Sequence, residues 1–230
     1  MRPLWIATCV LAVVGGFFVV LQTSWMLKLE PEWLPYLAHP LGALLAGWAL
    51  CHIASASRRE AFIGGVLAVA LLAFVTYVLP HAFTLTAARS PHALILVPVV
   101  AIVSGLGCVL GARVPAAANR MRLPIVTALV AACVFQLGGR LAYTFGLPAT
   151  PVALAVFSIV AAAATGALLQ ALAGGNSERG VAIGVLVMLL WGVLKQVVLS
   201  STSVPTFWDM VTFVGAPLGA ALGARFVRRQ

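Results

Sequence analysis

Residues 106–113 read LGCVLGAR, and residues 218–225 read LGAALGAR, 112 residues further along the chain. Each octapeptide spaces two glycines by four residues and ends on an arginine. Residues four apart lie on the same face of an α-helix, so the pattern predicts a glycine face on two helices. Small residues on such a face allow the backbone of a neighbouring helix to approach closely.

The composition predicts that these helices lie in a membrane. Of the 230 residues, 63% are hydrophobic and 8% are charged, and the mean hydropathy is +1.10. Soluble domains carry about 25% charged residues, so lipid is the expected solvent for most of this surface. Helices satisfy their own backbone hydrogen bonds in lipid, and the sequence therefore predicts an all-α integral membrane protein.

Apolar runs separated by polar breaks predict eight transmembrane helices, arranged as four helical hairpins. Each run has about the 17–25 residues that cross a hydrocarbon core. Residues 4–27 exceed the apolar length of a signal peptide, so we interpret them as a retained first helix. The predicted spans are 4–27, 37–55, 61–82, 93–113, 124–145, 150–173, 180–200 and 207–226.

The basic residues predict the orientation of these spans. Ten of the 14 fall in the loops and tails on one side, and four fall on the other. Short loops rich in arginine and lysine stay cytoplasmic, so both termini are expected in the cytoplasm. The same bias accounts for the net charge of +9 without nucleic acid. High alanine, glycine and arginine contents suggest a bacterial inner membrane. The ten are Arg2, Arg58, Arg59, Arg113, Arg120, Arg122, Arg179, Arg225, Arg228 and Arg229, and the four are Lys28, Arg89, Arg140 and Lys195.

Sequences that resemble L-G-x-x-L-G-A-R less closely occur in the other even-numbered spans, and they indicate an internal repeat. PLGALLAG begins at Pro40 and TGALLQAL begins at Thr165, which makes Gly42, Gly107, Gly166 and Gly219 candidate equivalents. Residues 1–120 and 121–230 would then form two parallel four-helix halves of one compact membrane domain. Chance similarity between runs rich in alanine, glycine and leucine is the alternative. The predicted helix-packing residues are Gly42, Gly107, Gly111, Gly166, Gly219 and Gly223.

The same glycines also predict how the helices are layered. The even-numbered spans carry most of the small residues, so they are expected to form the inner layer of each half. The odd-numbered spans carry bulkier side chains, such as Phe17, Phe74 and Trp191, and are expected to face lipid or form the outer layer.

Few residues in the chain are suited to catalysis. The five acidic residues lie in or near loops, and no nucleotide-binding loop, zinc-protease motif or nucleophile motif occurs. The four cysteines lie in apolar runs without a C-x-x-C pair and are interpreted as small buried side chains. The histidines are interpreted as interfacial. We therefore expect no enzyme, no cofactor and no metal site.

Two cations interrupt the apolar pattern near the outer ends of their spans. Arg140 lies in the fifth predicted span and Lys195 in the seventh, accompanied by Gln136 and Gln196 respectively. An intramembrane charge usually faces a cavity or a partner, although a long side chain can also extend to the interface. In the first interpretation the predicted substrate-binding residues are Arg140, Lys195, Gln136, Gln196, His81 and Gln22, and Asp209 could pair with either cation.

Two functions agree with this pattern. The first is transport of a small, possibly anionic, solute or of a lipid head group through a cavity between the two repeats. The second is a non-catalytic structural or assembly subunit of a larger membrane complex, whose cations would pair with an acidic partner helix. The expected partners are the lipid bilayer and either another membrane protein or a second copy of this chain, but no nucleic acid.

Overall fold

The computed structural model describes residues 2–29, 33–50, 53, 57–75, 91–114, 119–144, 150–199 and 206–228. Within these ranges, the side chains of residues 2, 91–95, 119–120, 139–144 and 199 are not described. Eight α-helices form this part of the chain: α1 (Arg2–Met26), α2 (Leu34–Leu50), α3 (Arg58–Ala73), α4 (Pro91–Arg113), α5 (Asn119–Thr144), α6 (Pro151–Ala173), α7 (Glu178–Leu199) and α8 (Phe207–Arg228).

Six of the eight helices contain segments long and apolar enough to cross a membrane. They are α1, α4, α5, α6, α7 and α8, while α2 is a shorter apolar helix of 17 residues. Several bounds agree closely with the predicted spans, as for α6, which is predicted over 150–173 and begins at Pro151. The second and third spans begin three residues earlier than predicted, at Leu34 and Arg58, and the structure describes α2 as far as Leu50.

Neighbouring helices follow the same order in both parts of the chain. Among the first four, α1 packs on α2, α2 on α4, α4 on α3, and α3 on α1. Among the last four, α5 packs on α6, α6 on α8, α8 on α7, and α7 on α5. The main contact between the two groups is α1 against α5. We call this α1–α5 contact the seam.

The two helices of the seam run in the same direction. Gly15 of α1 faces Leu129 of α5 so closely that an added Cβ would overlap the Leu129 carbonyl oxygen. Seven residues further along both helices, Gln136 Nε2 donates to Gln22 Oε1 at 3.4 Å. Because both contacts advance in the same sense, α1 and α5 are parallel.

The glycines of the repeated phrase lie at close helix crossings. A Cβ on Gly107 would lie 2.8 Å from the Pro40 carbonyl oxygen, and one on Gly111 would overlap that of Leu44. These contacts place α4 on α2.

The second copy of the phrase places α8 on α6 in the same way. A Cβ on Gly219 would lie 2.9 Å from the Ile159 carbonyl oxygen, and one on Gly223 would overlap that of Ala163. In both crossings the paired positions advance four residues on each helix. Helices in lipid associate through such close packing, because no hydrophobic force drives them together.

The packing of Gly42 and Gly166 contradicts their predicted equivalence. Gly166 faces the Ala220 carbonyl oxygen of α8, whereas Gly42 faces Gly16 of α1. The residue of α2 with the contact of Gly166 is Gly47, which faces the carbonyl oxygen of Cys108 in α4. Aligning α2 with α6 on their shared G-A-L-L sequence therefore placed them five residues out of register. Leucine and alanine recur too often in these helices to determine the register.

The predicted inner layer of even-numbered helices is wrong at α1 and α5. The two most buried candidate spans are odd-numbered, since 56% of the α1 segment and 50% of the α5 segment are buried, against 33% for α4 and α6 and 22% for α8. The odd-numbered α7 is only 22% buried, as the prediction expected. Each even-numbered pair packs tightly within its own group. The central helices are α1 and α5, because they join the two groups.

Small side chains fill the centre of the first group. Cys9 of α1 and Cys108 of α4 are fully buried, with their Sγ atoms 3.4 Å apart. A Cβ on Gly64 of α3 would lie 2.6 Å from Cys9 Sγ, so three helices meet at this point. Cys133 is also buried, and Cys51 lies outside the described residues.

Candidate functional site

A polar cluster lies at one end of the seam, where α1, α5 and α7 meet. Gln22 Oε1 accepts hydrogen bonds from Gln136 Nε2 and from Lys195 Nζ, each at 3.4 Å. Gln22 is buried, with 8% of its surface exposed, while Gln136 and Lys195 are half-buried. The cluster thus joins one helix of the first group to two helices of the second.

The ammonium group of Lys195 points toward the seam. Its Nζ lies 3.4 Å from the buried Gln22 amide and 5.9 Å from the centre of the Trp191 ring. One turn below, Trp191 Nε1 donates to Thr23 Oγ1 at 3.3 Å. Two adjacent residues of α1 therefore hold one face of α7 through polar contacts.

The groups in this cluster could bind an anion. A lysine ammonium has three N–H donors, and Gln22 accepts from one of them. Two glutamine amides beside it are neutral donors and acceptors, which can orient a phosphate or carboxylate without adding charge. The bilayer lowers the local dielectric constant, which strengthens the attraction of an anion to the ammonium.

Of the six predicted substrate-binding residues, the structure brings together Gln22, Gln136 and Lys195. Gln196 is exposed on α7. Arg140 follows Gln136 by one turn of α5, but its side chain lies outside the described residues, as does the whole of His81. His39, one of the histidines interpreted as interfacial, stacks on Phe17, with ring centroids 4.1 Å apart.

The predicted pairing of Asp209 with Lys195 does not occur, while the side chain of Arg140, the other candidate partner, lies outside the described residues. The carboxylate of Asp209 accepts hydrogen bonds from the backbone N–H and the hydroxyl of Thr206, both at 2.7 Å. The Thr206 hydroxyl in turn accepts from the Asp209 N–H at 3.3 Å. This reciprocal arrangement caps the first turn of α8.

A second cation connects the two groups of helices at the opposite end. Arg122 of α5 is 2% exposed, and its guanidinium lies 5.0 Å from the centre of the Trp48 ring of α2. Its Nη2 also donates to the carbonyl oxygen of Val114, just after α4, at 3.5 Å. The sequence assigned Arg122 only to the basic loops, so this contact was missed.

Thr23 and Trp191 were also missed as members of the polar cluster. The sequence signal was available, since Trp191 precedes Lys195 by four residues and Thr23 adjoins Gln22. Residues four apart on α7 share a face, so Trp191 is expected on the same side of α7 as Lys195.

Comparison with known protein families, curated proteins and solved structures finds no match for this chain. The class of protein therefore follows from the structure alone. Helices long and apolar enough to span a bilayer define a helical, multi-pass membrane protein.

Proposed function

We propose that this protein is a bacterial inner-membrane transporter in which two parallel four-helix halves move a small anionic solute or a lipid head group. Residues 1–120 would form the first half and residues 121–230 the second. The observation that carries the proposal is the position of Lys195, whose ammonium lies beside Gln22 at the end of the seam.

The internal repeat is supported by packing as well as by sequence. Gly107 and Gly111 of α4 contact Pro40 and Leu44 of α2. Their counterparts 112 residues later, Gly219 and Gly223, contact Ile159 and Ala163 of α6. These two residues lie 119 positions after Pro40 and Leu44. The shared order of neighbouring helices and the parallel seam favour halves related by an axis along the membrane normal.

The contacts between the proposed halves suggest how access could alternate. Polar contacts from Gln22 and Thr23 join the halves at one end, and Arg122 joins them at the other. Between these ends, Gly15 and Leu129 leave no space for a solute. A rocking motion that opens the Lys195 end would keep the Arg122 contact closed, and the reverse motion would admit the substrate to the cytoplasm.

Replacement of Lys195 with glutamine tests the proposal. Loss of a charged hydrogen-bonding group is expected to lower substrate affinity about 10- to 100-fold. The measurement is uptake of labelled inorganic phosphate, and movement of a fluorescent phosphatidylglycerol, in proteoliposomes containing the purified protein.

The matched control is Lys28→Gln, which removes an exposed lysine just after α1. This variant should transport like the native protein, and Lys195→Arg should recover part of the activity. Equal transport by the native protein and Lys195→Gln, when both are monodisperse, would rule out Lys195 as a substrate-binding residue.

The proposed orientation predicts which loops react from outside the cell. Asn176 is exposed between α6 and α7, whereas the adjacent Ser177 is buried and bonded to Gln170. In a variant without native cysteines, Asn176→Cys should resist an impermeant thiol reagent applied to whole cells, and Lys28→Cys should react. If only Asn176→Cys were labelled, the orientation would be the reverse of the one proposed.

The alternative function, an assembly subunit, is favoured by the outer half of α7. Val193, Leu194 and Val197 are exposed there. An exposed apolar face can pack against a helix of another chain. Extraction in a mild detergent separates the two functions, because a stable hetero-complex without transport by the purified chain would support the subunit.

A further inference from the structure

Two thiols meet across the centre of the first group of helices. In that group α1 and α4 lie opposite each other, because each packs on both α2 and α3. Cys9 of α1 and Cys108 of α4 nevertheless place their Sγ atoms 3.4 Å apart, and neither side chain is exposed. Side chains from opposite helices meet in this way at the core of a bundle. The thiol pair therefore occupies the middle of the group.

The other two helices of the group supply glycine beside the thiols. A Cβ on Gly64 of α3 would lie 2.6 Å from Cys9 Sγ, and a Cβ on Gly47 of α2 would overlap the carbonyl oxygen of Cys108. Each of these helices thus meets a cysteine with bare backbone. No side chain from Gly47 or Gly64 separates the two sulfur atoms, which face each other directly.

The second group has the same packing without the thiols. Thr127 of α5 packs against a glycine of α7, as Cys9 packs against a glycine of α3. The carbonyl oxygen of Ala220 in α8 faces a glycine of α6, as that of Cys108 faces a glycine of α2. Threonine and alanine therefore fill the positions where the first group has two cysteines. Close packing needs small side chains there, but it does not need sulfur.

The surroundings of the pair favour a disulfide over a metal complex. Metal ions bind thiolates, and the burial of charged sulfur in an apolar core is costly. A disulfide is neutral, as are the two thiols that it replaces. The sulfur atoms are 3.4 Å apart and would approach to about 2.05 Å on bonding. The oxidant has to be small and uncharged to enter the membrane, and hydrogen peroxide meets both conditions.

We propose that Cys9 and Cys108 are a redox-active pair, which hydrogen peroxide converts to a disulfide that joins α1 to α4. One sulfur attacks a peroxide oxygen, the O–O bond breaks, and a sulfenic acid and one water form. The second sulfur attacks the first, the S–O bond breaks, and the S–S bond forms with release of a second water. The two thiol protons end in the two waters, and the two electrons lost by sulfur reduce the peroxide.

The disulfide would fix the helix of the seam to the opposite helix of its own group. Because α1 also packs on α5, the bond would link the seam covalently to α4. Thr127 and Ala220 cannot form such a bond, so oxidation would stiffen the first group and leave the second unchanged.

Counting free thiols by mass spectrometry tests the proposal. Cys51→Ala removes the cysteine outside the described residues and leaves three. The reduced protein in nanodiscs is treated with hydrogen peroxide, denatured and alkylated with N-ethylmaleimide. Cys133 is the internal control, because it is equally buried but lies against Gly15, about 9 Å along α1 from Cys9.

The reduced protein should take up three maleimides and the oxidised protein one, at Cys133, with Cys9 and Cys108 found in one disulfide-linked peptide pair. In Cys108→Ala, Cys9 should remain as reactive toward maleimide as Cys133. Retention of all three thiols under conditions that oxidise an added Lys28→Cys would overturn the proposal. Equal loss of Cys133, or loss of Cys9 in Cys108→Ala, would overturn it as well.

The thermal midpoint of the same samples tests the link between α1 and α4. A disulfide that closes a loop of about 100 residues should raise the midpoint by roughly 10 °C. Cys108→Ala treated with the same peroxide should keep its midpoint. An unchanged midpoint after complete disulfide formation would show that the bond does not restrain the two helices.

Discussion

Replacement of Gly15 with alanine is expected to separate α1 from α5 and to destabilise the protein by about 3 kcal/mol. The new Cβ would overlap the carbonyl oxygen of Leu129, which belongs to the helix backbone and cannot turn aside as a side chain can. Alanine is favoured over glycine in a helix by only about 1 kcal/mol, so the steric cost exceeds the gain.

The loss can be measured as the thermal midpoint of the detergent-purified protein. A cost of this size should lower the midpoint by roughly 10 °C for a chain of this length. Gly192→Ala in α7 is the matched control, because no atom outside its own helix turn lies within 4 Å of the added Cβ. If Gly15→Ala were as stable as Gly192→Ala, α1 and α5 would not be in close contact.

The glycines of the repeated phrase should respond to alanine in matched pairs. A Cβ on Gly111 or on Gly223 would overlap a backbone carbonyl, so each substitution should cost about 3 kcal/mol. A Cβ on Gly107 or Gly219 would lie 2.8 or 2.9 Å from its nearest oxygen, so smaller losses of about 1 kcal/mol are expected.

Thermal midpoints of the four single variants test this order. The predicted result is two large and nearly equal losses, together with two small and nearly equal ones. Unequal losses at Gly111 and Gly223 would indicate that the two copies of the phrase pack differently, which would contradict the proposed repeat.

The sequence contains most of what determines the helices and their close crossings. Four-residue spacing places Gly107 and Gly111 on one face whatever that face contacts, so this prediction needs no knowledge of the fold. The capping of α8 could also have been predicted, because Thr206 and Asp209 have the spacing of a capping box. Asp209 was instead considered only as a partner for a cation.

Burial could not be predicted, because lipid and protein interior favour the same side chains. The segments of α1 and α8 are both apolar, yet 56% of one and 22% of the other is buried. The order of the helices decides this difference, and hydropathy carries no information about order. The sequence placed Gln22, Gln136 and Lys195 at similar depths in their spans. It could not predict that they touch, because that depends on which helices are neighbours.

The central claim is that Gln22 and Gln136 meet at the same end of two parallel helices, where Lys195 joins them. A variant without native cysteines, with a protease site between Val114 and Asn119, tests it by disulfide crosslinking. After oxidation and cleavage, Gln22→Cys with Gln136→Cys should hold the two fragments together on a non-reducing gel. Gln22→Cys with Leu123→Cys should not, because Leu123 lies about 20 Å from Gln136 toward the beginning of α5. Fragments joined through position 123 and separated at position 136 would show antiparallel helices and contradict the account.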